Sequence, residues 1–238
     1  MSDRPPIADR SRHTANGIRP LEVCMTRVYL IRHGQTVWNL ERRYQGQIDS
    51  PLTDLGRDQM RRLAAALAAE PVRAVYTSPL HRCLWGAERI AAHHGLRPIV
   101  EPNLIELDHG VLDGLRVDEM EAHVGDIVRR WWRDPANAEI PHGETLQHAR
   151  DRAFDVFNRI VRSHAGETAV VVAHGGVNKL ILLTLLQAPL DSYFRLQQHN
   201  GAINLVEYRD DVGAQVVAIN DTCYLKLPSA DPTVIGQE

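Results

Sequence analysis

The stretch Leu30-Ile31-Arg32-His33-Gly34-Gln35-Thr36-Val37-Trp38-Asn39, "LIRHGQTVWN", decides how the chain is read. The run before its basic pair, Val28-Tyr29-Leu30-Ile31, is β-branched and aromatic enough for a short buried strand. An Arg, a His and a Gly then stand where the chain must turn, and two basic side chains at a strand's edge imply something to bind. Working outward, strand-like runs recur at residues 74–76, 98–100, 169–173, 202–208 and 215–219. Helical spacing falls between them. Met60, Leu63, Ala64 and Leu67 follow i, i+3, i+4, i+7, with Thr53 as N-cap. Ser78-Pro79 reads as the N-cap and first position of a helix running to about His94 and ended by Gly95. A further helix begins near Thr145 with Leu146, Ala149, Ala153, Val156, Phe157 and Ile160 on one face, and a last one follows Gly176 with Leu180, Leu183 and Leu186. This alternation predicts an α/β domain, a mostly parallel sheet covered by helices on both faces. The residues between the last two strands, 209–213, read as a hairpin turn, so the sheet is expected to be mixed. Residues 106–141 have weak periodicity, include Trp131-Trp132, and read as an insertion that caps something; the tryptophans read as packing or an apolar lid.

The 238 residues, 44% hydrophobic and 24% charged, have the composition of a globular domain with a substantial core. A formal net charge of −3 weighs against a general nucleic-acid binder. No apolar run is long enough to span a bilayer. Cys24, Cys83 and Cys223 are odd in number and form no CxxC pair, which argues against a disulfide framework or a zinc site and fits a reducing cytoplasm. Residues 1–24 are polar, with no hydrophobic core of a secretory signal, and read as a disordered extension. The domain is then expected over 25–227, with a capping insertion at about 107–142 and a flexible tail at 228–238.

In open α/β sheets ligands collect beyond the carboxyl ends of the strands. Three strand-to-helix junctions here carry cationic or imidazole groups: Arg32 and His33 after the first strand, Arg82 after 74–77, and His174-Gly175-Gly176 after 170–173. Helix N-termini add partial positive charge and free N–H groups. Parallel strands would bring these to one edge, and their common object is a dianion such as phosphate.

The ordered set "RHGQTVWN", "YQGQIDSPLTDLG", "YTSPLHRCLWGAERI", "LIELDHGVLDGL", "PHGETL" and "VVVAHGGVNKLIL" resembles the histidine phosphatase superfamily, in the branch of cofactor-dependent phosphoglycerate mutases and of broad-specificity and α-ribazole-type phosphatases. The resemblance runs from Met25 to about Leu225. It implies a three-layer α/β/α sandwich of the phosphoglycerate mutase type. It implies that His33 attacks phosphorus to give a phosphohistidine, that Arg32, Arg82 and His174 surround the phosphoryl group, and that Glu106 is the proton donor. Asn39 matches a phosphate ligand, Gln45 and Gly46 fall where relatives touch the rest of the substrate, and Gly175 permits a close turn. An imidazole is nucleophilic only when neutral, so the second nitrogen of His33 is expected on a backbone carbonyl. The double duty of Glu106, acid and then base, calls for a carboxyl protonated part of the time, which partial burial would supply. The resemblance implies no cofactor and no metal, and the scattered histidines lack paired ligand spacing. His142 replaces a small residue of the family's GGES segment and His109 stands where many phosphatases have an aromatic; both are candidate rim residues. Asn200 resembles a turn residue near the base of the family's pocket. Blander readings make Arg82 a surface arginine paired with Glu88, and Cys83 inert core.

The function expected is therefore a metal-independent phosphomonoester hydrolase acting on a small phosphorylated metabolite. The alternatives are a bisphosphoglycerate-dependent phosphoglycerate mutase and, in another class, a non-catalytic phospholigand-binding module. Mutase relatives carry an Arg and a Tyr after the acid, whereas this chain reads Leu107-Asp108-His109, and Asp108 near the pocket is expected to repel a carboxylated substrate. The partner expected is a small phosphate ester rather than nucleic acid or membrane, and a homodimer is compatible with the sequence. Specificity is expected in residues 111–142.

Overall fold

In the computed structural model, which describes residues 25–226, β1 (Met25–Arg32) lies inside a six-stranded sheet. The helices and strands that follow are α1 (Val37–Leu40), α2 (Asp54–Ala66), β2 (Val72–Thr77), α3 (His81–His93), β3 (Ile99–Val100), α4 (Met120–Arg133), α5 (Leu146–Ser163), β4 (Thr168–Ala173), α6 (Gly175–Leu185), β5 (Ile203–Arg209) and β6 (Gly213–Asp221). The strand order is β3-β2-β4-β1-β5-β6. Strands β1 to β4 pair in parallel; β5 and β6 are antiparallel. The mixed, mostly parallel sheet expected from the alternation is the one found. The expected extension at 1–24 and tail at 228–238 lie outside the described residues.

Side chains of a strand alternate between faces, and the core divides accordingly. Val28 and Leu30 of β1 pack with Val171 against Val156, Phe157 and Ile160 of α5 and Ile181 of α6. Tyr29 and Ile31 pack with Val170 and Val172 against Met60 and Leu63 of α2 and Ala87 and Ile90 of α3. Both faces are thereby buried, which gives three layers. A third cluster joins Leu107, Leu112, Met120, Val128 and Trp131 of the capping segment to Leu146 of α5 and Leu180 and Leu183 of α6.

Thr53 caps α2, accepting from Gly56 N at 3.0 Å, and Thr145 caps α5, accepting from His148 N at 3.2 Å. Ser78 does not cap α3. Its amide still pairs with Val172 O at 3.0 Å, so the chain has not cleared the sheet, and the helix starts three residues later behind Leu80. The weak periodicity of the capping segment has a physical cause: α4 is broken at Val124 (φ −143°, ψ 35°), which shifts the phase of its apolar face. Trp131 is buried and Trp132 is exposed, yet both indole N–H groups donate to Tyr44 Oη at 3.1 Å. The turn after β1 is locked by α2: a Cβ on Gly34 would sit 2.2 Å from Gly56 O, and one on Gly56 would sit 2.0 Å from Gln35 O. Among the described residues no helix is long and apolar enough to cross a membrane.

Candidate active site

The registers of β1, β4 and β2 set Arg32 beside Ala173 and Thr77 beside Val172. The residues just past each strand, His33, His174 and Ser78, therefore meet at one edge. The His33 and His174 rings stand edge to face with centroids 5.3 Å apart. His33 Nδ1 lies 2.8 Å from Gly34 O. A carbonyl only accepts, so Nδ1 carries the hydrogen and Nε2 keeps the lone pair. Burial, reinforced by the Arg82 and Arg32 guanidiniums, pushes the pKa of His33 well below the usual imidazole range, so the ring is neutral near pH 7. His174 Nε2 is 2.7 Å from Ser78 Oγ, which is where that hydroxyl is used instead of capping α3. Burial and then Arg82 push the pKa of His174 down as well.

Two guanidiniums flank these rings. Arg32 Nη1 donates to Gln198 O at 2.5 Å, while its Nε is buried with no hydrogen-bond partner. Arg82, in the first turn of α3, is the largest fully buried side chain. It donates to Gly46 O at 2.6 Å, Ile48 O at 3.0 Å and Asp49 Oδ1 at 3.2 Å, and its Nε too is buried and unpartnered. The surface pairing with Glu88 does not occur, because Glu88 bonds Arg89 while the 46–49 loop covers Arg82.

Glu106 is buried, and both of its carboxylate oxygens are engaged by backbone. Oε1 accepts from Leu107 N at 2.9 Å and Val177 N at 3.3 Å, and Oε2 accepts from Gly176 N at 3.1 Å, so the start of α6 orients it. Arg152 of α5 braces the same loop, donating to Asn103 O at 2.8 Å, Ile105 O at 2.6 Å and Glu106 O at 3.1 Å. Glu144, from "PHGETL", holds Arg152 in place through an ion pair.

A cavity of about 210 Å³ opens here. Of the residues singled out from sequence, Arg32, His33, Asn39, Gln45, Glu106, His109 and Gly175 line it. Arg82 and His174 are buried beside His33 without forming part of that lining. Gln45 Oε1 accepts from Thr36 Oγ1 at 2.8 Å, and its Nε2 is a third buried, unpartnered donor. Asn200, whose role the sequence left open, donates to Asn39 Oδ1 at 2.9 Å and so aims the Asn39 amide.

Three expectations are corrected. Gly46 does not line the cavity, because its backbone is spent within the protein: N–H on Asp113 Oδ1 at 2.6 Å, C=O on Arg82. It latches the capping segment to Arg82, and burial pushes the pKa of Asp113 up to about 6. His142 is not at the rim; it occupies an exposed turn with φ 62°, closed over Gly110, where a Cβ would meet Pro141 O at 2.1 Å. Asp108 is also absent from the lining, its carboxylate accepting from Gly110 N at 2.9 Å, so it acts on the cavity only through space, as it does on the His109 ring in the wall. His109 is a buried wall residue, its ring 5.2 Å from Tyr44 and 5.9 Å from Trp131. Sequence reasoning missed Arg43, Tyr44, Lys179 and Gln198, all of which line the cavity. Only Lys179 left a signal, four residues after Gly175 and hence on the same helical face.

A neutral imidazole and a carboxyl fixed by backbone line one cavity, with buried guanidinium donors close to the imidazole, a set suited to holding an anion. Residues 28–222 match the model of the histidine phosphatase superfamily (branch 1), and the chain belongs to that superfamily. Among its relatives is the "Probable phosphoglycerate mutase GpmB" of Cronobacter sakazakii, 33% identical over 211 residues that span 87% of this chain and 98% of the relative. Bacillus stearothermophilus YhfR superposes with a TM-score of 0.79 at 31% identity, covering 84% of this chain and 99% of its own. A mycobacterial glucosyl-3-phosphoglycerate phosphatase superposes with a TM-score of 0.75 at 26% identity, covering 82% and 99%.

Proposed function

We propose that the protein is a phosphomonoester hydrolase working through a phosphohistidine on His33. The observation that carries the reading is the Nδ1–H bond from His33 to Gly34 O, which commits Nε2 as nucleophile in the field of the Arg32 and Arg82 guanidiniums, whose Nε–H groups have no partner. In the first step His33 Nε2 bonds to phosphorus, the ester P–O bond breaks, and Glu106 gives its proton to the departing oxygen. In the second, water attacks phosphorus, Glu106 takes back a proton, and the P–N bond breaks to release phosphate. Arg32 and Arg82 offset the charge spread over the equatorial oxygens, and the neutral His174 ring, Asn39 and Gln45 supply further polar contacts. The positive charge in the site comes from Arg32 and Arg82.

Mutase chemistry is the second reading. It is favoured by the printed name of the Cronobacter relative and by Arg43 and Lys179 in the cavity. It is disfavoured by the segment after the acid: Leu107 is buried in the cap's core and His109 in the cavity wall, so no guanidinium enters from there. The test is incubation with a monophosphoglycerate and with p-nitrophenyl phosphate in chelator, with and without bisphosphoglycerate. Release of inorganic phosphate from both is expected. Bisphosphoglycerate-primed interconversion faster than release would make the protein a mutase; binding with neither reaction would make it a phospholigand-binding module.

A further inference from the structure

The Asp113 carboxylate takes the place of a backbone carbonyl. Residues 42–46 run antiparallel to residues 113–117 of the capping segment. Val117 N donates to Arg42 O at 3.0 Å, Tyr44 N to Leu115 O at 3.0 Å and Gly114 N to Tyr44 O at 3.0 Å, with Arg43 bridged to Arg116. The next amide along this ladder, Gly46 N, meets a side chain instead, Asp113 Oδ1 at 2.6 Å. Glycine is required there, because a Cβ would sit 2.7 Å from both carboxylate oxygens and 2.5 Å from Leu107 O. The carbonyl of the same glycine accepts from Arg82 Nη2 at 2.6 Å. The residues just before it, Arg43, Tyr44 and Gln45, all line the cavity, and Gln45 Nε2 is one of its unpartnered donors. One carboxylate thus pins the turn that joins three lining residues to the buried guanidinium.

Stability does not explain the choice of residue. Asp113 is half-buried, and an ionised carboxylate loses solvation there. Asparagine would offer Gly46 the same kind of oxygen with no charge to desolvate. What only the charged form supplies is a strong acceptor for two successive amides, Gly46 and Gln47, in the field of Arg82. We propose that ionised Asp113 is a positioning residue: it holds the 45–47 turn so that Gln45 and Arg82 are set for the ester, and uptake of a proton by Asp113 relaxes the turn and lowers activity. The proposal rests on the hydrolase reading of the cavity and adds to it a residue that does not itself line that cavity.

Burial pushes the pKa of Asp113 up to about 6 against the pull of the Gly46 amide; Asp108 adds to the rise, and Arg82 and the Gln47 amide oppose it. The charged groups facing the carboxylate are therefore Asp108 of the capping segment and Arg82 of α3, while Arg43 of the paired run bonds the adjacent Gly114 O at 2.8 Å. Activity and stability then move in opposite directions. Ionisation, and with it positioning, is gained as pH rises through 6. The folded protein holds the Asp113 proton more tightly than the unfolded chain, whose ordinary value is 3.8, so the linked stability is full below 3.8 and is lost as pH rises through 6.

The test compares Asp113→Asn, an uncharged isostere of the protonated acid, with the native protein from pH 5 to pH 8. The ratio of their kcat/KM values for p-nitrophenyl phosphate cancels the ionisation of the ester itself. At pH 8 the variant is expected to fall roughly ten-fold below the native protein, the scale of exchanging a charged hydrogen bond for a neutral one, and the ratio to climb toward one as pH falls to 5. Thermal melts are expected to shift in favour of the variant as pH rises over the same range. In the native protein the Gly46 amide proton, followed by NMR, is expected to titrate with a midpoint near 6, and in Asp113→Asn that titration is absent. A ratio flat with pH, melts that shift the other way, or a native Gly46 amide that does not titrate between pH 5 and pH 7 would overturn the proposal. If the native protein hydrolyses no p-nitrophenyl phosphate, the hydrolase reading fails on its own. Positioning is then read from the affinity for inorganic phosphate, expected to be tighter in the native protein than in the variant at pH 8 and equal at pH 5; equal affinities throughout would reject it.

Discussion

His33→Ala is expected to lower kcat toward p-nitrophenyl phosphate by roughly 10⁵-fold, the scale on which loss of a nucleophile removes a covalent route. The loss should fall on kcat and leave ester binding largely in place, because the variant keeps the Nε–H groups of Arg32 and Arg82 and the amide of Gln45. Folding should survive as well. His33 is a buried ring held by one hydrogen bond to its neighbour's carbonyl, and the structure keeps it uncharged between two guanidiniums. A thermal melt beside the rate measurement checks both halves. A variant that melts like the native protein and still turns over at a tenth of its rate would remove His33 from the chemistry.

Arg82 carries the second large effect, and it is of a different kind. Its guanidinium binds the phosphoryl group in the proposed mechanism and also ties down the 46–49 loop through Gly46 O, Ile48 O and Asp49. Arg82→Ala is expected to lose about 10²–10³-fold in kcat/KM for the missing donor. It is also expected to lose about 2–4 kcal/mol of stability, because two carbonyls and a carboxylate are left without their partner. Arg82→Lys separates the two roles. A lysine keeps the charge and recovers part of the stability, but it cannot fork to the loop and to the phosphate at once, so most of the catalytic loss should persist. Full activity in Arg82→Lys would show that only the charge matters.

These residues were legible in the sequence because their placement follows from strand order alone. An apolar run followed by Arg-His-Gly marks a strand edge, a second run followed by His-Gly-Gly marks another, and parallel pairing puts the two together. Arg82 needed only the rule that a helix begins where its strand stops. What escaped depends on contacts distant in sequence. Nothing in "YQGQ" says that the backbone of Gly46 is consumed by Asp113 and Arg82, or that Gln45 rather than Gly46 lines the cavity. Asn200 lies 161 residues from the Asn39 it aims. The capping segment resisted reading because α4 breaks at Val124; Asp108 looked functional because it adjoins His109 in the wall, and His142 because it replaces a small residue of the family's segment. Ser78 looked like a helix cap because serine before proline usually is one; here its hydroxyl is taken by a histidine from another strand.

The central claim is that phosphorus becomes bonded to His33 Nε2. It is tested most directly by mixing the protein with a ³²P-labelled ester, quenching in alkali within the first turnover, and mapping the label by peptide mass spectrometry. The account predicts a label on the peptide containing His33, lost on acid treatment and absent from His33→Ala. Turnover with no protein-bound phosphate, or a label on His174 instead, would contradict it.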